Sequence, residues 1–149
     1  MHCEVRGTGP LVILTGAPMG AADLAPLADA LADSHTVVTH DPRGIGRSVL
    51  DDPTTDSTPD LRATDLIRLL DTLDVKSADI FGTSGGAVTG LALVARYPDR
   101  VRTLVAHEPP LLELLPDAAA RRAAVDAVID TFHRAGIDAA WGAFMSTAG

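Results

Sequence analysis

The amino-acid sequence predicts an α/β fold: a mostly parallel sheet of about five strands with helices on both faces, followed by the start of a helical cap. Three observations carry this. Short strand-like segments bounded by turn residues recur at 3–6, 11–14, 36–39, around the apolar pair Ile80-Phe81, and at 101–106. From the second run onward, segments with apolar residues at helical spacing separate them. The connections are short, and strands alternating with amphipathic helices give a parallel sheet with right-handed crossovers.

In order along the chain, residues 3–6 form a strand that ends in the turn Gly7-Thr8-Gly9-Pro10. Residues 11–14 are continuously apolar, the pattern of a strand buried on both faces. After a loop from Gly16 to Gly20, Leu24, Leu27, Ala28 and Leu31 make a helical stripe. Pro26 is tolerated there because it lies near the helix start. A strand at 36–39 runs into Asp41-Pro42-Arg43-Gly44-Ile45-Gly46-Arg47-Ser48, and the polar stretch 51–60 is a surface loop. Thr58 caps the next helix, with Pro59 in its first position. Its buried stripe is Ala63, Leu66, Ile67, Leu70 and Leu73. The strand at 78–81 passes directly into a helix that ends near Tyr97-Pro98-Asp99. The strand at 101–106 leads to His107-Glu108-Pro109-Pro110. Asp117 caps a helix through Val125, Ile129 and Phe132 that stops at Gly136, and a second helix covers 139–145. With no strand between these two helices, residues 1–115 read as a core and 116–149 as the beginning of a helical cap or lid.

Composition narrows the function classes. The chain has 149 residues, 46% of them hydrophobic, enough for one domain with a real core. A net charge of −8 argues against nucleic acid or an anionic membrane as partner, since both reward a basic surface. The single cysteine, Cys3, excludes an intramolecular disulfide and a cysteine zinc site. No two of the five histidines stand as an H-x-x-x-H pair. No signal-like apolar core and no run near ~18 apolar residues is present, so a cytoplasmic location is the expectation.

The chemistry concentrates at Gly82-Thr83-Ser84-Gly85-Gly86, a G-x-S-x-G sequence between a strand and a helix. So sharp a reversal pushes the central side chain outward, and the flanking Gly82 and Gly86 lack the Cβ atoms that would collide across it. Ser84 is therefore the candidate nucleophile. A phosphate loop is excluded, because no G-x-x-x-x-G-K-[ST] occurs and Lys76 is the only lysine. Acyl chemistry also needs donors for a developing oxyanion. The N–H of Gly85 opens the following helix, and a second donor belongs on the loop after the second strand. Pro18 has no N–H, which leaves Ala17.

Together, T-G-A-P-M-G, D-P-R-G-I-G-R-S, G-T-S-G-G and R-Y-P-D-R-V, in that order over roughly residues 2–110, resemble the α/β-hydrolase family. The resemblance implies a hydrolase with no organic cofactor or metal and a small-molecule substrate with an activated carbonyl: an ester, thioester, lactone, amide or C–C bond. Related dehalogenases and epoxide hydrolases carry an aspartate where Ser84 stands. Thr15-Gly16 replaces the family's usual His-Gly, and the resemblance makes Asp41 and Arg43 a structural ion pair. It also places an acid and a histidine on loops after two further strands. No strand-like run follows residue 106, so the chain reads as the N-terminal portion of the family fold, weak or inactive alone. Two roles are open for His107: lining the substrate pocket, or serving as a substitute base for Ser84 in a dyad oriented by Glu108. The uncovered edge of the last strand makes self-association an expectation. The alternative function is a non-catalytic domain of this type that binds a small apolar ligand or a partner protein. A nucleotide-binding α/β domain is a third, which the acidic balance opposes.

Overall fold

Continuously apolar runs need cover on both sides, and a parallel sheet between helices supplies it. The computed structural model describes residues 1–52 and 54–147. Pro53, within the expected surface loop, lies outside the described residues. Five strands form one sheet: β1 (Cys3–Arg6), β2 (Leu11–Thr15), β3 (Thr36–His40), β4 (Ala78–Thr83) and β5 (Val101–His107). Their spatial order is β1-β3-β2-β4-β5, with β1 antiparallel to β3 and every other pair parallel. The helices α1 (Ala25–Leu31), α2 (Pro59–Thr72) and α3 (Gly85–Arg96) connect them, and α4 (Ala118–Thr147) follows. The mostly parallel five-stranded α/β architecture read from the sequence is thus the one observed.

Each face of the sheet has its own core. Ile13, Val38 and Ile80 pack with Leu66 and Leu70 of α2 and Leu93 of α3. Val12, Leu14 and Val37 pack on the other face with Leu24 and Ala28 of the α1 region. Each large side chain so buried contributes about 1.5–3 kcal/mol relative to exposure. The start of α2 follows its sequence signal: the Thr58 hydroxyl accepts a hydrogen bond from the Leu61 N–H at 3.2 Å, with Pro59 in the first turn. Such a cap contributes about 1 kcal/mol.

The chain divides into two compact units, Met1–Pro110 and Leu111–Gly149. The first contains the whole sheet. Within the second, α4 bends at Gly136, whose φ of 81° and ψ of −176° interrupt the helix before it resumes.

Candidate active site

The geometry of the corner begins with close approach. A Cβ on Gly82 would lie 2.5 Å from the Gly86 carbonyl oxygen, and one on Gly86 would lie 2.2 Å from that of Thr15. Both distances are shorter than any real side chain tolerates, so only glycine lets β4 turn into α3 while α3 presses on the end of β2. Ser84 at the apex has φ 53° and ψ −124°, outside the helical region and on the side of the map that L-residues avoid. Its backbone is pinned from both sides. The Ser84 N–H donates to the His107 carbonyl at 3.0 Å, and its carbonyl accepts from Ala87 at 2.9 Å.

The loop after β2 lies against the same corner. A Cβ on Gly85 would meet the Ala17 Cβ at 2.9 Å and the Ala17 carbonyl oxygen at 3.0 Å. Ala17 and Gly85 are therefore neighbours, and the Ala17–Pro18 peptide is cis. Gly85 is the first residue of α3, where backbone N–H groups have no intrahelical acceptor and carry the positive end of the helix dipole.

His107 stands at the same level on the neighbouring strand, since β4 and β5 pair Thr83 with His107. Its imidazole is engaged there: Nδ1 lies 3.1 Å from the Thr83 hydroxyl, and the ring stacks on Phe81 with centroids 6.2 Å apart. Glu108 follows with φ 49°.

The loop after β3 supports the site from behind, by a different pairing than expected. Asp41 and Arg43 do not form an ion pair with one another. Asp41 is buried and accepts from the N–H groups of Ala21 at 2.8 Å and Arg47 at 2.9 Å, with the Arg47 Nε at 3.3 Å. Burial opposes its charge, but these donors outweigh burial and hold the carboxyl below the usual carboxylate range. Arg43 instead reaches α2 and binds Asp65 through two hydrogen bonds of 2.7 Å. The physical reason is reach: the short Asp41 carboxylate meets nearby amides, Arg47 in its own loop and Ala21 in the loop after β2, while the longer Arg43 side chain spans to the helix.

Sequence reasoning gave His40 no role. At the end of β3 it is 3% exposed, and neither ring nitrogen has a partner among the described residues. Burial pushes its imidazole pKa down to about 4. Its place in the last position of an otherwise buried strand was the available signal. Among the described residues, no group of three or more His, Cys, Asp or Glu side chains converges as a metal site. No described helix is long and apolar enough to cross a membrane.

Comparison with known proteins identifies the family of the fold. The family profile described as alpha/beta hydrolase fold matches residues 9–144. An uncharacterized hydrolase of Bacillus subtilis, YraK, is 41% identical over 116 residues, 77% of this chain and 43% of that protein. A zearalenone hydrolase of Bionectria ochroleuca is 37% identical over 124 residues, 79% of this chain and 47% of that protein. Among solved structures, a hydrolase from Pseudomonas aeruginosa PA01 superposes with a TM-score of 0.71 at 27% identity, covering 85% of this chain and 48% of that one. The chain thus spans about half the length of the proteins it matches. On the strength of the profile match and of these relatives, the chain belongs to the alpha/beta hydrolase fold family.

Proposed function

We propose that this chain carries the nucleophile and oxyanion half of a serine hydrolase acting on an ester or other carbonyl-activated bond. The observation that carries this reading is the Ser84 backbone: an L-residue with φ 53° at a strand-to-helix apex whose flanking glycines admit no Cβ. In the proposed reaction the Ser84 Oγ attacks the substrate carbonyl carbon, and an imidazole takes its proton. The oxyanion that forms accepts hydrogen bonds from the backbone N–H groups of Gly85 and Ala17. Collapse expels the leaving group with that proton and leaves an acyl-enzyme, which water then hydrolyses. Two hydrolases among the relatives support the reaction class. We read residues 116–149 as the first part of a cap, the element in which substrate specificity would reside.

A fluorophosphonate probe tests the proposal. Labelling at Ser84, read by intact mass and peptide mapping, should disappear in Ser84→Ala. A folded chain that never labels would sink the catalytic reading.

One observation favours a second reading, a non-catalytic binding domain. Among the described residues β5 pairs on one side only, and Val105 on it is 52% exposed. A strand edge with such a side chain can accept another strand, including one from a second copy. Self-association that depends on protein concentration, measured by sedimentation, would support it.

A further inference from the structure

α2 brings a cation to the serine corner that neither the nucleophile nor the oxyanion donors account for. A Cβ on Gly85 would lie 3.6 Å from Nη1 of Arg62, beside its contacts with Ala17. The guanidinium therefore borders the seam between the two backbone donors proposed for the oxyanion. Arg62 itself stands near the start of α2 and is partly buried.

Its charge has no counter-charge. The other two nitrogens bind neutral groups: Nε donates to the Ser57 hydroxyl at 3.1 Å, and Nη2 donates to the Ser57 carbonyl at 2.6 Å. The carboxylates within a turn of it on α2 are taken by other arginines, Asp60 by Arg96 at 3.2 Å and Asp65 by Arg43 at 2.7 Å. Among the described residues Arg62 takes part in no ion pair. Burial, and then the charge of Arg43, hold its pKa below the usual guanidinium value. A guanidinium still stays protonated at neutral pH. The N-terminus of α3 adds positive potential at Gly85. Each of these influences opposes the cation, and an anion at Nη1 would relieve them.

Nη1 is open to one. It has no hydrogen-bond partner among the described residues, yet the buried side-chain polar atoms without a partner are confined there to the ring of His40. Solvent therefore reaches Nη1.

We infer that Arg62 is a specificity-determining residue that selects substrates with a carboxylate close to the reacting carbonyl. This rests on the reading of Ser84 as nucleophile and names the class of substrate that it attacks. With the carbonyl oxygen on the amides of Gly85 and Ala17, the substrate carboxylate accepts from Nη1 in a charge-assisted hydrogen bond of about 2.7–2.9 Å. A neutral substrate of the same shape leaves the guanidinium unpaired and loses that contribution.

Two alkylating reagents of nearly equal size, iodoacetate and iodoacetamide, test this without need of a general base. In Ser84→Cys the thiolate displaces iodide from either reagent, and only iodoacetate carries a carboxylate. Both reagents consume the same thiolate, so its pKa cancels in the ratio of their rates. Cys3→Ser removes the other thiol. Rates are followed by intact mass in this background and with Arg62→Gln, Arg62→Lys or Arg62→Glu added, each checked for folding by circular dichroism. Arg62→Gln should lower the iodoacetate-to-iodoacetamide ratio roughly tenfold, as for loss of a unit charge a few ångströms away in a partly solvated site. Arg62→Lys should keep most of the ratio, Arg62→Glu should fall below Arg62→Gln, and salt should shrink the differences. Equal ratios with Arg62 and with Arg62→Gln would overturn the role of Arg62. So would a ratio for Arg62→Lys as low as that for Arg62→Gln, which would reduce Arg62 to a clasp on Ser57. Either result leaves the hydrolase reading standing, since fluorophosphonate labelling at Ser84 tests that reading with Arg62 intact. A folded Ser84→Cys chain that neither reagent alkylates would overturn both, because the side chain at the apex would then be out of reach.

Discussion

β2 and β5 flank the same strand, β4, and could hardly be treated more differently by the fold. β2 has strands on both sides, and its residues from Val12 to Thr15 are all buried. Among the described residues β5 has a strand on one side only, and none of its own seven residues is fully buried. Yet both are short apolar-rich runs, LVILT and VRTLVAH, with the same crossover geometry. The difference shows that the Ser84 corner is held firmly from the β2 side and lightly from the β5 side. On the β2 side the glycines are locked against Thr15 and Ala17, whereas on the β5 side one backbone hydrogen bond to His107 closes the corner.

The largest break in this contrast comes from Gly86→Ala. Its new methyl group would occupy the place of the Thr15 carbonyl, 2.2 Å away, where only backbone can yield. We expect a loss of about 4 kcal/mol or more, or failure to fold, measured by urea unfolding. Next, Ile13→Ala on β2 removes a side chain with no exposed surface and should cost about 2–5 kcal/mol. Val105→Ala on β5 should cost under about 0.5 kcal/mol. If the two truncations cost the same, the outer face of β5 is covered in solution and the contrast fails.

Acid sharpens the comparison from the β2 side, through His40 on the adjoining β3. Its folded pKa of about 4 lies below the value near 6.5 of an unfolded histidine. Between those values the unfolded chain binds the extra proton, so stability is intact above about pH 6.5 and falls as pH drops. The loss reaches roughly 3 kcal/mol by pH 4. His40→Phe should flatten the pH dependence of the urea midpoint in that window. An unchanged slope would mean that the ring is solvated.

Most of the framework was legible because its signals are local. Thr58-Pro59 announced the start of α2 through a cap and a fixed φ, and the glycine corner announced the strand-to-helix turn. Gly136 was legible as an interruption, although the helical turns resume directly after it rather than giving way to a loop. What stayed hidden depends on residues brought together from afar. The partner of Arg43 is Asp65 on α2, and that choice is made by the packing of α2 beside the loop. His40 looked like a strand terminus, and only the assembled sheet reveals that neither ring nitrogen finds a hydrogen-bond partner among the described residues. The φ of Glu108 was equally unreadable, since the proline after it argues for the opposite conformation.

The missing Cβ of Gly86 has one more consequence, for motion. With the Thr15 carbonyl seated where that atom would be, the loop bearing Ala17 and the first turn of α3 have no slack between them. The amides of Ala17 and Gly85 are then expected to shift together rather than separately. Under the proposed hydrolase reading, directed evolution toward new substrates would therefore gain little by lengthening that loop. Variation would have to enter on the β5 side, where none of the strand's seven residues is fully buried.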